Sequence, residues 1–386
     1  MARYSEKRAE SRKAGKPESR KVIGIDASRA NSITRTGTEW YAYHLIRELK
    51  SLIPDSCQVV LYSKEPLRDD LVDLPAHWEN RVLRWPPRYL WTQMRLAWEM
   101  LVRPPDLLFV PAHTLPLVLP KKAVTTLHDV TFMVVPEAYS WKGRAYHRFA
   151  ARYAVRRAAH IFTVSEFSRQ EIMKWFGADA ERISVTHLSY DESSFRSDLD
   201  MSRTSAVLNR HGVSKPYFLF VGRLERKKNF AALVEGFRKF RESHSDHNLV
   251  LVGKRGRGAD EVLGDGIEGI REMGYVGADE LPHLYAGAEA FVFPSRHEGF
   301  GIPVLESFAC GTPVITSRNS AIPEVAGQAA YYLETNDAVG IAEAMGRIID
   351  QSWLREKLSE LGSLRVRDFT WRATAEKTWE GIERLL

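Results

Sequence analysis

Short runs of Val, Ile, Leu and Phe alternate with helix-length amphipathic segments along almost the whole chain, and this alternation most restricts how it can fold. Strands rich in branched apolar residues are typical of parallel sheets covered by helices on both faces, so the pattern predicts an α/β architecture. The predicted strands are residues 22–26, 58–62, 106–110, 123–127, 160–164, 217–221, 248–252, 290–294 and 313–316. Helices are predicted near residues 38–50, 90–102, 142–159, 228–242, 300–310 and 337–350.

A polar stretch at residues 188–215 interrupts this alternation and has no strand periodicity. We interpret it as a linker with a short helix, which divides the 386 residues into two α/β domains. The predicted organisation is a flexible basic tail at 1–21, a first domain at 22–190, a linker at 191–215, a second domain at 216–368 and a C-terminal helix at 369–386.

The net charge of +6 is concentrated at the N-terminus, where residues 1–21 hold eight basic residues against three glutamates. The remainder is close to neutral, which argues against a nucleic-acid groove and favours a solvated tail able to touch an anionic surface. Two cysteines are too few for a disulfide framework. No apolar run has transmembrane length, and the N-terminus lacks the apolar core of a secretory signal. We therefore expect a cytoplasmic protein.

Two predicted strands of the second half end in glycine followed by basic residues. Gly222 and Arg223 follow the strand at 217–221, with Lys228 before the next helix, and Gly253 and Lys254 follow the strand at 248–252. Ligands of open parallel sheets bind at the carboxyl ends of strands, where glycine admits the ligand and cations attract phosphate. Taken alone, the first loop is as consistent with a solvated turn as with a ligand site, and the second loop, which lacks the spacing of a P-loop, is a weak signal.

A third loop, "RHEGFGIPVLES", places two glutamates around the start of a helix. Pro303 suits the first turn of this helix, so the N–H groups of Gly299, Phe300 and Gly301 are available to an anion. Because a carboxylate repels an anion, Glu298 and Glu306 are better suited to accept hydrogen bonds from sugar and ribose hydroxyls. The alternative is that Glu298 only caps the helix and Glu306 is a solvated helix residue.

The stretch "HEGFGIPVLESFACGTPVITS" resembles the Glu-x7-Glu signature of retaining glycosyltransferases of family 4 (group 1), which include bacterial lipopolysaccharide mannosyltransferases. The resemblance also includes "VGRLERKKN" and "LHDVTFMVVPEAYS" and implies the GT-B architecture. In this architecture two Rossmann-like, doubly wound domains face each other across a cleft, and a C-terminal helix crosses back to the first. It further implies that Arg223 and Lys228 bind the donor diphosphate, Glu298 the transferred sugar and Glu306 the ribose.

By the same resemblance, His128 in "TLHDV" faces the donor sugar, although a lone histidine at a strand end is more often structural. The resemblance also places the base of the nucleotide near Gly253 and Val276. Gly37 matches one position of an N-terminal glycine-rich loop, but Thr36 and Thr38 stand beside it in place of a second glycine. The phosphate and acceptor contacts of that loop are therefore not assigned.

The resemblance implies a retaining, metal-independent hexosyltransferase with no cofactor other than its nucleotide-sugar substrate, for which GDP-mannose is the best match. Asp198 and Asp200 form an Asp-x-Asp triplet, but it falls in the predicted linker, and His244 and His247 fit a helix-to-strand turn. No carboxylate pair identifies itself as nucleophile and acid for a double displacement. The alternatives are a UDP-sugar donor and a catalytically silent module that binds a nucleotide or lipid.

The expected acceptor is a glycan or a polyprenyl-diphosphate-linked sugar, and an anionic membrane surface is a further candidate partner. Two segments suggest the membrane: a basic stripe on the helix near 142–159 and a mixed Trp/Arg segment at 84–101. The stripe consists of Arg144, Arg148, Arg152, Arg156 and Arg157; the mixed segment contains Trp85, Trp91, Trp98, Arg84, Arg88 and Arg95. A solvated helix face and a core-facing stripe explain the two segments equally well.

Overall fold

The computed structural model of the chain describes residues 20–33, 35–87, 89–264 and 266–386. The predicted basic tail lies outside the described residues except for its last two, and so does Arg88. In the described ranges, thirteen strands form two separate sheets in which all paired strands are parallel. We call each sheet with its covering helices a lobe.

The sheet of the first lobe has seven strands in the order β3-β2-β1-β4-β5-β6-β7. Its central strands are almost fully buried on both faces, which explains their continuous apolar runs. The strands are β1 (Lys21–Asp26), β2 (Cys57–Ser63), β3 (Trp78–Val82), β4 (Leu107–Val110), β5 (Lys122–Thr126), β6 (His160–Thr163) and β7 (Ile183–Val185).

The sheet of the second lobe has six strands in the order β10-β9-β8-β11-β12-β13. As in the first lobe, the strand order reverses next to the first strand, the arrangement at which doubly wound sheets bind ligands. The strands are β8 (Tyr217–Val221), β9 (Asn248–Val252), β10 (Ile270–Gly274), β11 (Ala290–Phe293), β12 (Val314–Thr316) and β13 (Ala330–Tyr332).

Helices connect successive strands and cover both sheets. Those of the first half are α1 (Gly37–Leu49), α2 (Ala97–Val102), α3 (Thr131–Val134), α4 (Trp141–Arg157), α5 (Glu166–Phe176) and α6 (Met201–Arg210). Those of the second half are α7 (Phe230–Arg241), α8 (Ala259–Leu263), α9 (Leu281–Gly287), α10 (Ile302–Ala309), α11 (Ile322–Ala326), α12 (Ala338–Asp350), α13 (Ser352–Arg365) and α14 (Trp371–Glu383). A π-helical turn at Thr92–Leu96 precedes α2, and a 3-10 turn at Arg226–Lys228 precedes α7.

The C-terminal helix α14 returns to the first lobe and packs against α1, as predicted. Trp371 lies at its start, donates its indole N–H to the carbonyl of Tyr190 at 2.9 Å, and stacks on His44 with 4.9 Å between ring centroids. Gly381 packs on Phe162 of β6; a Cβ there would stand 2.6 Å from the ring. This helix joins the end of the chain to the lobe that begins it.

Direct hydrogen bonds also hold the two lobes together. The carboxylate of Glu324 on α11 accepts the backbone N–H groups of Glu166 and Phe167 at the start of α5, at 2.8 and 3.2 Å. The same carboxylate lies 2.7 Å from Nε2 of His187. Ordinarily the first N–H groups of a helix have no partner within it, so a carboxylate from the other lobe stabilises this helix end.

None of the described helices has both the length and the apolar content required to span a bilayer. Both cysteines, Cys57 and Cys310, are buried and free.

Candidate active site

Two glycines bring neighbouring strand ends of the second lobe into close contact. Gly222 and Gly253 follow β8 and β9 and have φ angles of 146° and 139°, in the region that favours glycine. A Cβ on Gly253 would stand 2.0 Å from the carbonyl oxygen of Gly222. Arg223 and Lys254, the next residues, have exposed side chains. These turns therefore present two cations at the carboxyl edge of the sheet.

Lys228 and Glu298 contact each other at this edge. Lys228 ends the 3-10 turn before α7, and its Nζ lies 2.5 Å from Oε1 of Glu298. Ser295 donates its hydroxyl to the same carboxylate oxygen. Asn229, the next residue, has a φ of 55° and donates its amide to the carbonyl of Asn336 at 2.8 Å, which fixes the turn. Two predicted site residues from different loops are thus brought together.

The buried Glu298 carboxylate is held in its charged form. Its residue is 7% exposed, and burial raises the pKa of Glu298. The positive charges of Lys228 and Lys227, with the hydrogen bonds from Lys228 and Ser295, outweigh burial and hold the pKa below its usual value. Glu298 is therefore an acceptor of hydrogen bonds at neutral pH rather than a proton donor. No side-chain hydrogen bond caps α10 at its Gly301 N-cap, so Glu298 is not a helix cap.

A second ion pair links the lobes beside the first. Lys227 of the second lobe lies 3.7 Å from the carboxylate of Asp129 and donates to the hydroxyl of Thr131 at 3.3 Å. Burial raises the pKa of Asp129, but the charge of Lys227 outweighs it and holds that pKa well below its ordinary value. Thr131 also contacts Nδ1 of His297 at 3.0 Å. The sequence prediction included none of these four residues.

His128 follows β5 of the first lobe and is half-buried beside this ion pair. Its backbone N–H donates to Nδ1 of His113 at 3.4 Å, and its ring lies perpendicular to that of Tyr41 with 4.6 Å between ring centroids. Burial, and then the neighbouring His113, lowers the pKa of His128 to about 3, so the imidazole is neutral. Its Nε2 has no hydrogen-bond partner among the described residues and can accept or donate one bond to a ligand.

The loop at 299–301 lies against the first lobe. Ser165 donates its hydroxyl to the carbonyl of Gly299 at 2.7 Å, and a Cβ on Gly299 would stand 2.7 Å from the carbonyl oxygen of His128. Gly301 is the N-cap of α10, with a φ of 115°, and Pro303 lies in the first turn as predicted. Phe300 is 3% exposed, so its backbone rather than its ring is the group available to a ligand.

Glu306 lies on α10 and is half-buried, so it is not a solvated helix residue. Tyr285 donates its hydroxyl to the carboxylate at 3.0 Å. Burial, opposed by the hydrogen bond from Tyr285 and assisted by the charge of Asp191, raises the pKa of Glu306 to about 7. Among the described residues, the carboxylate accepts this one hydrogen bond from a protein side chain. Hydroxyls of a bound ribose would donate further hydrogen bonds to it.

Val276 and Gly37 complete the set of predicted site residues. Val276 is 6% exposed, two residues beyond β10, whose end pairs with the Gly253 turn through a 2.6 Å hydrogen bond from Gly253 to Gly274. Gly37 begins α1, is exposed, and has no atom within 4 Å of a Cβ position.

The Asp-x-Asp triplet has a local explanation. Asp200 is the N-cap of α6, where its carboxylate accepts the backbone N–H of Ser202 at 2.8 Å, and Asp198 is exposed and lies 3.3 Å from Arg196. The predicted short helix of the linker is α6. The described residues contain no cluster of three or more His, Cys, Asp or Glu side chains arranged to hold a metal ion.

The Glu306 carboxyl should make stability depend on pH. Because its pKa is raised in the folded protein, its contribution to stability is present below the usual pKa and is lost as the pH rises through about 7. Glu306→Gln, which cannot ionise, should therefore raise the free energy of unfolding by about 1–3 kcal/mol at pH 8 and change it little near pH 5. Urea unfolding of the ligand-free protein at both pH values tests this. The matched control is Glu343→Gln on the exposed face of α12, and an equal gain at both pH values would contradict the prediction.

Comparisons with known proteins identify the two halves of the chain. Residues 35–193 match the family described as Glycosyltransferase Family 4, and residues 207–365 match Glycosyl transferases group 1. The O-antigen chain mannosyltransferase B of Escherichia coli is 34% identical over 267 residues, covering 67% of this chain and 69% of that protein. The O-antigen chain mannosyltransferase RfbU of Salmonella typhimurium is 31% identical over 58% of this chain, which spans 60% of that relative.

Among solved structures, the sucrose-phosphate synthase of Thermosynechococcus elongatus superposes with a TM-score of 0.72. It is 18% identical, and the match covers 95% of this chain and 99% of that one, so it bears on the fold alone. Two parallel-sheet lobes, a C-terminal helix that returns to the first, and a site between the strand ends agree with the sequence matches. The chain belongs to the family 4, group 1 glycosyltransferases and has their GT-B fold.

Proposed function

We propose that this glycosyltransferase moves mannose from GDP-mannose to a glycan or polyprenyl-diphosphate-linked acceptor in cell-surface polysaccharide synthesis, with retention of anomeric configuration. The names of both relatives, which are O-antigen chain mannosyltransferases, support the sugar and the process. The contact between Lys228 and Glu298 carries the proposal, because it joins a cation for the donor phosphate to an acceptor for the sugar hydroxyls.

The donor diphosphate is placed at the edge formed by the two glycine turns and the start of α10. Arg223 and Lys254 are exposed there and can turn toward an anion, while Lys228 is held in position by Glu298. The backbone N–H groups that lead into α10 add the positive end of a helix. Fixed positive groups stabilise the charge that develops on the departing diphosphate, so the proposed reaction requires no divalent ion.

The protonation states support transfer without a carboxylic acid. Glu298 and Asp129 both have pKa values below their ordinary range, burial being outweighed by Lys228 for Glu298 and by Lys227 for Asp129. Neither can protonate a leaving group at neutral pH. In the proposed step the acceptor oxygen attacks the anomeric carbon on the face that the diphosphate leaves. The bond from carbon to the phosphate oxygen breaks, and that diphosphate accepts the proton of the acceptor hydroxyl.

Calorimetric titration with GDP, UDP and ADP, each with and without a chelator, tests the donor. We expect GDP to bind most tightly, with an affinity that EDTA leaves unchanged. At pH 8, where the Glu306 carboxyl is ionised, Glu306→Ala should weaken GDP binding by about 1.5–3 kcal/mol, because one hydrogen bond between a ribose hydroxyl and a charged group is lost. If UDP binds more tightly than GDP, the donor is a UDP-sugar instead. If nucleotide binding depends on a divalent ion, the proposed phosphate site is excluded.

Incubation with radiolabelled GDP-mannose and purified lipid-linked oligosaccharide tests transfer itself. NMR of the product should show the same anomeric configuration as the donor sugar, and an inverted product would exclude the same-face step. Donor binding without transfer or hydrolysis would instead favour the catalytically silent module.

A further inference from the structure

Apolar side chains point outward from the helical segment that begins with the π-helical turn. Met94, Trp98 and Leu101 are 54%, 60% and 62% exposed. Beneath them the carboxylate of Glu99, 1% exposed, lies within 3.2 Å of guanidinium nitrogens of Arg81, Arg95 and Arg103. A buried carboxylate bound by three guanidinium groups fixes the rotation of this segment, because any turn of the helix would expose unpaired charge. The fold therefore holds the apolar side chains of this segment facing outward.

Helix α4 presents a second face that combines aromatic and basic residues. Trp141 and Phe149 are 76% and 58% exposed, and Arg148, Arg152 and Arg156 lie on the same exposed side. The helix has six Lys and Arg residues and no Asp or Glu. None of these six side chains forms an ion pair within the described residues. A helix face with uncompensated positive charge and exposed aromatic rings is complementary to an anionic surface with an apolar interior.

A loop that follows β4 joins these two faces. Gln93 donates its amide to the carbonyl of Leu115 at 3.0 Å and accepts the N–H of Leu117 at 3.1 Å. From the other side, Tyr153 of α4 donates its hydroxyl to the carbonyl of Leu117 at 2.8 Å. Leu117 itself is 54% exposed. This loop therefore links the exposed residues of 94–101 through Leu117 to those of α4, and we call these residues together the arginine–aromatic surface.

The sequence expectation for the Trp/Arg segment is thus only partly correct. Trp91 is 2% exposed and donates its indole N–H to the carbonyl of Leu83 at 2.8 Å, so it belongs to the core. Trp85 is half-buried and donates to the carbonyl of Tyr89 at 2.9 Å. Trp98 alone of the three faces outward, whereas the α4 stripe is exposed from Arg148 to Arg156, with Arg144 half-buried.

The arginine–aromatic surface begins near the mouth of the cleft. Helix α4 follows β5, whose carboxyl end leads to His128, and the turn before α4 reaches the second lobe where Arg257 donates to the carbonyl of Glu137 at 3.4 Å. A partner bound along α4 would therefore lie beside the entrance to the candidate active site.

We propose that the arginine–aromatic surface docks the first lobe on a bilayer that contains anionic phospholipid. Lipid phosphates would neutralise the arginines of α4, and the interfacial region would cover Trp98, Phe149 and Leu117. A nucleic acid offers the same negative charge but leaves the aliphatic part of the surface in water. Docking there brings the cleft mouth to the membrane, where a lipid-linked acceptor would lie; that last point rests on the proposed function, but the docking does not.

Vesicle flotation with the full-length protein tests the docking. The protein should float with vesicles of phosphatidylglycerol and phosphatidylcholine, and not with phosphatidylcholine alone. Replacing Arg148, Arg152 and Arg156 together by Gln should weaken binding about 100-fold, because each basic residue near an anionic bilayer contributes about one kcal/mol of attraction. High salt screens the attraction between arginines and lipid phosphates and leaves the apolar contribution. A second variant, Trp98→Ser with Phe149→Ser, should therefore weaken the binding that remains at high salt.

The matched control removes three charges from the second lobe, with Arg238, Lys239 and Lys357 replaced by Gln, and should float like the unmodified protein. Thermal unfolding and GDP calorimetry should be the same for all variants, since none of these side chains lies at the candidate active site. Binding that does not depend on phosphatidylglycerol overturns the proposal. If the α4 variant binds as tightly as the unmodified protein, the proposal is also overturned. The attraction would then come from other basic residues, among them those of residues 1–21.

Discussion

Lys228→Ala should lower the turnover number about 100- to 1,000-fold while the protein stays folded, the largest loss of activity that we expect from a single side chain. Removing one preorganised group that stabilises developing charge has this order of effect in other enzymes. Lys228 is suited to that role because Glu298 and the ring of Phe293, 4.8 Å from its Nζ, hold the ammonium group in place before substrate binds. A preorganised charge does not have to reorganise during the reaction.

The ion pair complicates the interpretation of Lys228→Ala, because Glu298 would lose a partner inside the protein. Lys227 and Ser295 remain next to that carboxylate, so we expect a moderate loss of stability rather than unfolding. Far-UV circular dichroism and urea unfolding of the variant measure this. Lys239→Ala on the exposed side of α7 is the matched control. If Lys228→Ala kept more than a tenth of the turnover number, Lys228 would have no part in stabilising the diphosphate.

The sequence predicts the interior of both sheets and misses their edges. All nine predicted strands agree with observed strands to within one residue at each end, whereas β3, β7, β10 and β13 were not predicted. These four are the edge strands of the two sheets. Edge strands are covered on fewer sides, and two of these, Trp78–Val82 and Ile270–Gly274, carry polar residues and lack a continuous apolar run. The other two, Ile183–Val185 and Ala330–Tyr332, are only three residues long.

The predicted site residues of the second lobe are those that follow strands, and the fold explains why this signal is informative. Parallel strands end at one edge, so Gly222, Lys228, Gly253 and Glu298 meet there although they are far apart in sequence. The pairing of Lys228 with Glu298 itself was not predicted. It depends on the side-chain directions of two loops, which no spacing in the sequence encodes.

The ion pairs and hydrogen bonds between side chains of the two lobes were not predicted for a similar reason. Asp129 follows His128 after a strand, but His128 was selected by the family resemblance, which gave no role to the neighbouring aspartate. Its partner Lys227 was passed over in favour of the adjacent Lys228, because only the latter matches the resemblance. Glu324 has no strand-end signal at all, and its contact with the start of α5 requires knowledge of how the two lobes are oriented.

Gly299→Ala should lower the turnover number about 100-fold while the affinity for GDP changes less than about threefold. The added Cβ would stand 2.7 Å from the carbonyl oxygen of His128 and 2.8 Å from the Cβ of Asp129, both in the first lobe. Neither is the end of a flexible side chain, so the lobes must separate to admit the methyl group. Misplacing reacting groups by about 1 Å can cost this much, because the alignment of donor and acceptor is lost.

Comparing GDP affinity with turnover number in Gly299→Ala distinguishes a separation of the two lobes from a local distortion of the loop. The nucleotide contacts proposed for Gly222, Lys228 and Glu306 all lie in the second lobe and should persist, whereas His128 would move away with the first. Small-angle scattering should show a larger radius of gyration for Gly299→Ala. Gly346→Ala on α12, where a Cβ meets no atom within 4 Å, is the control and should change neither the radius of gyration nor the turnover number. Equal losses of GDP affinity and turnover would mean that the methyl group distorts the loop at 299–301 instead.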